Sequence, residues 1–261
     1  MQTVILAGGF GTRLREETEF RPKPMVQIGN HPILWHILKI YSYYGFNDFI
    51  ICLGYKGEQI KEYFINYEYM NNDITVKTGS SKCIEVHSNH NNKMDEWNVT
   101  LVDTGHSSMT GCRVKQIEKF IDEDIFFLTY GDGLAQIDLK ELLAFHRSHG
   151  KTATITGVHP PSRFGELTIE NHRVVEFTEK PQIDSGCING GFFVFNKRIF
   201  DYLSLDKDCY LEYEPMERLV KDGELMVYVH KGFWHCMDTQ RDLTLLNSLW
   251  KKDNPPWKIW T

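Results

Sequence analysis

The chain begins with a short apolar run that leads directly into a glycine-rich turn. Residues 3–7 read TVILA, a continuous run rich in β-branched side chains, which is typical of a strand buried on both faces of a parallel sheet. The next residues, GGFGTRL (8–14), place glycine where the backbone can approach a ligand closely or adopt a positive φ. This junction predicts a parallel sheet whose first strand ends at a binding loop.

Strand and helix patterns then alternate along the first 70 residues. Apolar residues recur at helical spacing over 31–45 and 56–69, and an apolar strand pattern over 46–55 lies between them. The segment RPKPM (21–25) contains two prolines, so we expect it to be extended or turned and not helical. The alternation predicts parallel strands joined by crossover helices.

The rest of the chain is predicted to be β-rich, with helices in between. We predict a hairpin-like excursion formed by ITVKT and NVTLVDT within 73–103, a β-meander over 164–181, further strands over 124–133, 152–160, 188–196 and within 224–238, and helices over 111–121, 138–150, 214–223 and 242–252. No repeat or flexible linker interrupts the pattern, so we expect 1–261 to form a single domain. The aromatic tail PPWKIW must pack on the remainder, because it would otherwise leave apolar surface in water.

Composition narrows the classes of function. The net charge is −6 and no basic run occurs, so nucleic acid is not an expected partner. No apolar stretch approaches the roughly 20 residues of a membrane span, and the N-terminus lacks the pattern of a signal peptide, so we expect a cytoplasmic protein without a membrane partner. The six cysteines form no CxxC pair and the 11 histidines no zinc spacing, so reduced structural thiols are expected.

The glycine-rich turn has the composition of a phosphate-binding loop. Successive backbone N–H groups in such a turn can form an anion nest, and Arg13 adds a fixed positive charge. The dinucleotide fingerprint GxGxxG fails because Leu14 stands where the third glycine belongs, and no GxxxxGK[ST] motif occurs. Taken alone, the turn could also be an ordinary tight connection between a strand and a helix.

Three polar residues after the loop could act on a phosphate. Lys23 lies between two prolines that restrict where it points, although alone it could be a solvated lysine. Asp132 follows the apolar run FFLTY, and the carboxyl end of a parallel strand is where such sheets bind ligands and Mg²⁺, but aspartate before glycine is also common in turns. Asp238 could be a second carboxylate or could belong to the cap of the next helix.

Two further motifs could contact a second substrate. Glu179 and Lys180 end a predicted strand, and Asn189 begins the next one. Together they would supply a cation, a carboxylate and an amide. For Glu179 and Lys180, a salt bridge at the exposed end of a strand is the simpler interpretation.

Considered together, these motifs resemble those of the sugar-1-phosphate nucleotidyltransferases. The shared motifs, in order, are LAGGFGTRL, RPKPM, TYGDG, FTEKP, INGGFFVF and MDTxRD. Further segments are similar to the glucose-1-phosphate cytidylyltransferase branch, namely GNHPILWHILKIYS, GYKGEQIKEYF, WNVTLVDTG with SSMTGCR, and PPWKIW. The resemblance covers essentially the whole chain, and the combination is far more specific than any one motif.

The resemblance implies an α/β fold with a Rossmann-like, mixed and mainly parallel sheet flanked by helices, a small β-rich excursion and a C-terminal extension. It implies a nucleotide-binding half over 1–135, which includes the excursion at 73–113, and a sugar-phosphate-binding half over 136–261. It also implies a homo-oligomer, with the excursion as a contact or lid. The implied substrates are CTP and a sugar 1-phosphate, first of all glucose 1-phosphate, and the implied cofactor is Mg²⁺.

The resemblance also assigns roles to residues. The implied nucleotide-binding set is Leu6, Ala7, Gly8, Gly9, Phe10, Gly11, Thr12, Arg13, Lys23, Ser108, Arg113 and Gly131. The implied sugar-phosphate set is Tyr130, Gly165, Glu179, Lys180 and Asn189, and the implied metal ligands are Asp132 and Asp238. Catalysis would rest on Arg13, Lys23, Asp132 and Lys180, which position and neutralise phosphates during an in-line displacement.

The sequence departs from the branch pattern where the sugar should lie. The departures are Glu166, Ile183, Cys187, Cys236 and Gln240. They leave the nucleotide-binding and metal-binding residues unchanged, so another phosphorylated sugar or a polyol is an alternative to glucose 1-phosphate. UTP or dTTP is an alternative to CTP as the nucleotide. A non-catalytic sensor built on the same fold is a further alternative. A nicotinamide-dependent dehydrogenase is disfavoured by the failed GxGxxG fingerprint.

Overall fold

The centre of the fold is a seven-stranded sheet with helices on both faces. The computed structural model describes residues 1–79, 83–87, 95–160, 166–170, 173–178, 186–252 and 254–260. The strands in chain order are β1 (Gln2–Leu6), β2 (Gln27–Ile28), β3 (His31–Pro32), β4 (Asp48–Leu53), β5 (Asp73–Lys77), β6 (Cys83–His87), β7 (Asn98–Asp103), β8 (Ile125–Tyr130), β9 (Gly133–Ala135), β10 (Ala153–Val158), β11 (Glu166–Glu170), β12 (Arg173–Thr178), β13 (Ile188–Asn196), β14 (Leu225–His230) and β15 (Trp234–Cys236).

The central sheet is mixed and mainly parallel, as predicted. Its strand order is β14-β10-β13-β8-β1-β4-β7. β13 runs antiparallel to β8 and β10, while the remaining neighbours pair in parallel. β1 lies in the middle between β8 and β4, so the glycine-rich turn leaves the sheet at its centre.

Helices bury their apolar sides against both faces of the sheet. They are α1 (Arg15–Thr18), α2 (Ile33–Tyr43), α3 (Gly57–Ile65), α4 (Tyr67–Asn71), α5 (Thr110–Gln116), α6 (Leu139–His149), α7 (Glu214–Lys221) and α8 (Gln240–Trp250), with 3-10 turns at Thr12–Leu14, Lys23–Met25, Glu118–Phe120 and Lys197–Tyr202. Alternate strand residues supply two cores: one includes Ile5 and packs on α2, α6 and α8, and the other includes Val4 and packs on α5 and α7. Among the described residues, no helix combines the length and apolarity needed to cross a membrane.

Most predicted elements are present, with shifted ends. The final helix begins at Gln240 because Thr239 caps it, in a capping box with Asp242. The aromatic tail packs as predicted, since Trp257 is fully buried in the core beside α2. The predicted meander over 164–181 contains the antiparallel pair β11 and β12, and its other residues lie outside the described residues.

Several local predictions were wrong. The hairpin of the excursion is formed by β5 and β6, whereas β7 joins the central sheet parallel to β4, because Val99 and Leu101 pack against the core there. The segment RPKPM is extended at Pro22, as expected, but Lys23–Met25 form a short 3-10 helix although no helix was predicted there; such a helix tolerates Pro24 in its first positions. The predicted helix over 56–69 is divided between α3 and α4 at Asn66, whose side chain bonds back to the Glu62 carbonyl.

Candidate active site

The ends of two neighbouring strands place the main loops of the site side by side. β1 and β8 pair in parallel, with Leu6 opposite Tyr130, so the chain leaves both strands at the same edge of the sheet. The backbone N–H of Gly131 donates to the Leu6 carbonyl over 3.0 Å, and the N–H of Tyr55 donates to the Gly8 carbonyl over 3.2 Å. These bonds hold the glycine-rich loop between the loops that follow β8 and β4.

A cleft of about 340 Å³ opens above this edge. Its walls combine glycines and cationic side chains with polar, apolar and aromatic side chains. It is lined by Leu6, Ala7, Gly8, Gly9, Gly11, Thr12, Arg13, Lys23, Pro24, Ser108, Met109, Thr110, Arg113, Tyr130, Gly131 and Asp132. Of the twelve residues in the predicted nucleotide-binding set, all but Phe10 line this one cleft, although their contact with a nucleotide stays a prediction.

Lys23 lies between two carboxylates at the centre of the site. Its ammonium nitrogen is 2.6 Å from Asp132 Oδ2 and 2.7 Å from Asp238 Oδ1. Arg13 donates to the other oxygen of Asp238 over 2.9 Å. The Lys23 and Asp238 side chains are only 13% and 14% exposed, whereas Arg13 is 72% exposed and reaches into solvent. Four predicted residues that are distant in sequence therefore form one charged cluster.

Two local structures bring these charges together. The 3-10 turn that begins at Lys23 directly follows Pro22, so the lysine leaves an extended backbone at a defined point. On the other side, β15 pairs antiparallel with β9, and the N–H of Met237 donates to the Asp132 carbonyl over 2.9 Å. This pairing places Asp238 beside Asp132.

The cluster shifts the pKa values of its members. Burial alone would lower the pKa of Lys23, but the carboxylates of Asp132 and Asp238 outweigh it and raise that pKa above its usual value. Burial alone would raise the pKa of Asp238, but Lys23 and Arg13 outweigh it and lower that pKa. The lysine is therefore charged, and Asp238 is ionised, across the physiological pH range.

Arg113 holds the glycine-rich loop in place. Its guanidinium is nearly fully buried and donates to the carbonyls of Gly8, Leu53 and Gly105 and to the Thr104 hydroxyl. A Cβ at Gly8 would overlap this guanidinium, which explains the need for glycine there. The structure thus gives Arg113 a bracing role in the floor of the cleft.

Phe10 turns away from the cleft. Its ring packs against Tyr55, with centroids 5.5 Å apart, and against His106 at 4.9 Å. These contacts connect the glycine-rich loop to the segments that follow β4 and β7. Phe10 was included in the predicted nucleotide-binding set because it lies in the glycine-rich loop. Its position in the sequence does not determine the direction of its side chain.

The predicted sugar-phosphate residues are only partly covered by the structure. Tyr130 lines the cleft, and the Asn189 side-chain amide donates to its hydroxyl over 3.3 Å. Gly165, Glu179 and Lys180 lie outside the described residues, as does the departure at Ile183.

The four other departures lie among the described residues, and one of them, Cys236, contacts the charged cluster. Cys236 Sγ donates to Asp238 Oδ2 over 3.6 Å, and burial raises the pKa of this thiol to about 12, so it is a neutral neighbour of the carboxylate. Cys187 is exposed. Gln240 is the first residue of α8 and Glu166 the first of β11.

Asp132 and Asp238 fit the needs of a magnesium ion. Both carboxylates already converge on one cation, the Lys23 ammonium. Within the described part of the chain, no group of three or more His, Cys, Asp or Glu side chains comes together as a metal cage. Two carboxylates suffice for Mg²⁺ when phosphate oxygens and water complete the octahedron, so the pair suits a metal that arrives with a nucleotide.

Sequence reasoning missed several residues of the cleft. Pro24, Met109 and Thr110 contribute to its lining. Glu212 accepts hydrogen bonds from both Tyr130 and Thr110, although it lies in a loop with no motif of its own. Pro24 and Thr110 adjoin motifs that were recognised, but nothing in the sequence pattern pointed to Glu212.

Comparison with known proteins defines the class of enzyme to which this fold and cleft belong. A sequence profile described as nucleotidyl transferase matches residues 2–251. The glucose-1-phosphate cytidylyltransferase of Salmonella typhi is 51% identical over 261 residues, which cover 100% of both chains. The chain therefore belongs to the nucleotidyl transferase family.

Among more distant relatives, some are named for a different sugar and a different base. The mannose-1-phosphate guanyltransferase of Neurospora crassa is 31% identical over 97% of this chain and 66% of its own length. Among solved structures, the HddC protein of Yersinia pseudotuberculosis superimposes with a TM-score of 0.69 at 24% identity, covering 95% of this chain and 99% of that chain. The structural similarity supports the fold.

Proposed function

We propose that this enzyme transfers CMP from CTP to α-D-glucose 1-phosphate, forming CDP-glucose and pyrophosphate. The observation that carries the chemistry is the convergence of Asp132 and Asp238 on Lys23, which lines the cleft together with the glycine-rich loop. The substrates are proposed from the Salmonella typhi relative, whose name states that activity and which aligns over the full chain. We place the enzyme in the cytoplasm.

The proposed reaction is a direct in-line displacement. An oxygen of the sugar phosphate attacks the α-phosphorus of CTP, and the bond to pyrophosphate breaks on the opposite side. Lys23 would neutralise charge at the α-phosphate, and the exposed Arg13 would bind the leaving pyrophosphate. Positioning and charge neutralisation are sufficient for such a transfer, so no covalent intermediate on the protein is needed.

We propose Mg²⁺ as the cofactor, held by Asp132 and Asp238. When bound, it would neutralise phosphate oxygens and stabilise the pyrophosphate that leaves. The chain itself supplies the two carboxylates and Lys23, whose ammonium group lies within hydrogen-bond distance of both. Lys180 is proposed to hold the attacking phosphate.

The sugar is the less constrained substrate. Tyr130, Asn189, Gly165 and Glu179 are proposed to bind it, and Asn189 and Tyr130 contact each other through the hydrogen bond between their side chains. Another phosphorylated sugar or polyol remains the alternative at this subsite, with UTP or dTTP as alternatives to CTP.

The assay that tests the proposed function measures pyrophosphate release with Mg²⁺ across CTP, UTP, dTTP and ATP. Each nucleotide is supplied with and without glucose 1-phosphate, and the nucleotide sugar is identified by mass. We expect release only with CTP and glucose 1-phosphate together. Equal release with another nucleotide would refute the base assignment, and no release with glucose 1-phosphate would refute the sugar assignment. If the protein binds no nucleotide at all, the proposed nucleotidyl transfer itself is refuted.

We also propose that the enzyme is a homo-oligomer and that the β5–β6 hairpin is a contact. Ile74, Val76 and Ile84 are 40%, 45% and 42% exposed, and the pairing of Val76 with Ile84 places them on one face of the hairpin. An apolar face of this kind is typical of an interface.

Light scattering after gel filtration tests the oligomer. The mass should be a multiple of one chain and should fall in Val76→Lys, because a charge would be buried in the contact. Thr75→Lys, which changes the opposite face of the same strand, should keep the wild-type mass. A monomeric wild-type protein, or an unchanged mass in Val76→Lys, would argue against this contact.

A further inference from the structure

Glu212 connects two walls of the cleft that are far apart in sequence. The Tyr130 hydroxyl donates to its Oε1 and the Thr110 hydroxyl donates to its Oε2, each over 2.5 Å. Tyr130 ends β8, whereas Thr110 begins α5, and both line the cleft. One carboxylate thus fixes the hydroxyl groups of two residues that face the substrates.

The Tyr130 ring is held by packing, so only its hydroxyl needs a polar partner. The ring meets Phe193 edge to face, with centroids 5.7 Å apart. Gly191 also lies against the ring, at a φ of +78°, where a Cβ would overlap the tyrosine ring. Packing therefore sets the plane of the ring, and Glu212 sets the direction of the hydroxyl hydrogen.

The direction of its hydroxyl hydrogen determines which hydrogen bonds Tyr130 can form with a ligand. Its single hydroxyl hydrogen is used in the bond to Glu212, so its oxygen can only accept further hydrogen bonds. Asn189 already donates to this oxygen over 3.3 Å, which shows that the oxygen serves as an acceptor. Burial, with the Glu212 carboxylate second, raises the pKa of Tyr130, so the phenol stays neutral.

Charge determines which part of a sugar phosphate can lie here. A phosphate offers acceptor oxygens and negative charge, so it matches neither an accepting phenol nor the carboxylate behind it. A sugar hydroxyl can donate to the Tyr130 oxygen without electrostatic penalty. The arrangement therefore suits the hydroxylated ring of the substrate and not its phosphate.

We propose that Glu212 is a positioning residue for the sugar: it orients the Tyr130 hydroxyl as an acceptor for a sugar hydroxyl group. This inference rests on the proposed function, because it names a determinant of sugar binding in that same site. Glu212 acts on the sugar through Tyr130, and it does not itself line the cleft.

Steady-state kinetics of Glu212→Ala, Tyr130→Phe and the double variant test the proposal. We expect Glu212→Ala to raise KM for glucose 1-phosphate about tenfold, as one lost hydrogen bond would, with KM for CTP within about twofold of wild type. Tyr130→Phe should show a similar change. Glu212→Gln keeps an acceptor oxygen and should lie between wild type and Glu212→Ala. Glu214→Ala, an exposed carboxylate two residues away, serves as the matched control.

The double variant separates a positioning role from a general structural one. In the Tyr130→Phe background, Glu212→Ala should add less than about twofold to KM, because the group through which it acts has gone. An equal increase in both backgrounds, or an equal rise in both KM values, would overturn the proposal. If wild type forms CDP-glucose but Glu212→Ala matches it, only this inference fails. If wild type forms no CDP-glucose, the proposed function fails and takes the inference with it.

Discussion

At the scale of single residues, Lys23 shows how neighbours define a role. In sequence it is one of 29 basic residues, marked only by its two flanking prolines. In the fold, two carboxylates hold its ammonium group at 2.6 and 2.7 Å, and its side chain is largely removed from solvent. A fixed cation in a partly dehydrated site stabilises developing charge more strongly than a mobile lysine at the surface.

Replacement of this cation should affect turnover more than folding. We expect Lys23→Met to lower kcat about 100-fold or more, because a charge aimed at the transferred phosphoryl group is removed. Lys61→Met, at an exposed lysine of α3, should retain wild-type kcat. The measurement is pyrophosphate release at saturating substrates, and a Lys23→Met rate within a few-fold of wild type would contradict the role.

Gly8 and Gly9 are adjacent in the glycine-rich loop, and their substitution tests whether Arg113 holds that loop in place. Gly8→Ala should lower the free energy of unfolding by about 2 kcal/mol, because the added methyl group overlaps a guanidinium that its hydrogen bonds hold in place. Gly9→Ala should be nearly neutral for stability, since a Cβ there meets no atom within 4 Å. Urea unfolding of both variants compares them, and equal stability would show that Arg113 moves freely.

At the scale of elements, the C-terminal tail docks on helix α2 through a histidine. The Trp257 indole N–H donates to His36 Nδ1 over 3.3 Å, and the opposite ring nitrogen bonds the Ile28 carbonyl at 3.0 Å. Burial lowers the pKa of His36 to about 4. The neutral ring is therefore the form that fits, because a proton on Nδ1 would face the indole donor.

This arrangement predicts a loss of stability in acid. The pKa of His36 falls from 6.5 in the unfolded chain to about 4 in the fold, so its contribution is present above pH 6.5 and is lost as the pH falls toward 4. Between pH 7 and pH 5, wild type should lose about 2 kcal/mol more than His36→Gln, which cannot titrate. His87→Gln, at an exposed histidine, is the control. Urea unfolding at both pH values measures the difference, and parallel losses in wild type and His36→Gln would contradict it.

Elements with strong local signals were predictable from sequence, and those fixed by distant partners were not. TVILA and INGGFFVFN appear as β1 and β13 because continuous apolar runs need burial on both faces. β7 was misplaced because its alternating pattern suits a hairpin as well as the edge of a sheet, and its parallel partner β4 is 50 residues away by register. Local pattern cannot choose between such partners.

At the scale of the whole molecule, the candidate active site joins segments from both halves of the chain. The glycine-rich loop, Lys23 and Asp132 come from the first half, and Asp238 comes from the second. Each carried a motif, so sequence could predict them as one site. Glu212 had no motif and is defined only by the distant Tyr130 and Thr110, so it became visible only in the fold. The single-domain organisation of 1–261 stays a prediction.

The most direct test of the account is CDP-glucose formation by Asp132→Asn and Asp238→Asn beside wild type. Each substitution keeps the shape of the side chain but removes a charge that faces Lys23. We predict that both variants lose activity about 100-fold or more and still fold, while Asp201→Asn, at an exposed aspartate, stays near wild type. Near-wild-type activity in both site variants would contradict the claim that this pair of carboxylates is the centre of nucleotidyl transfer.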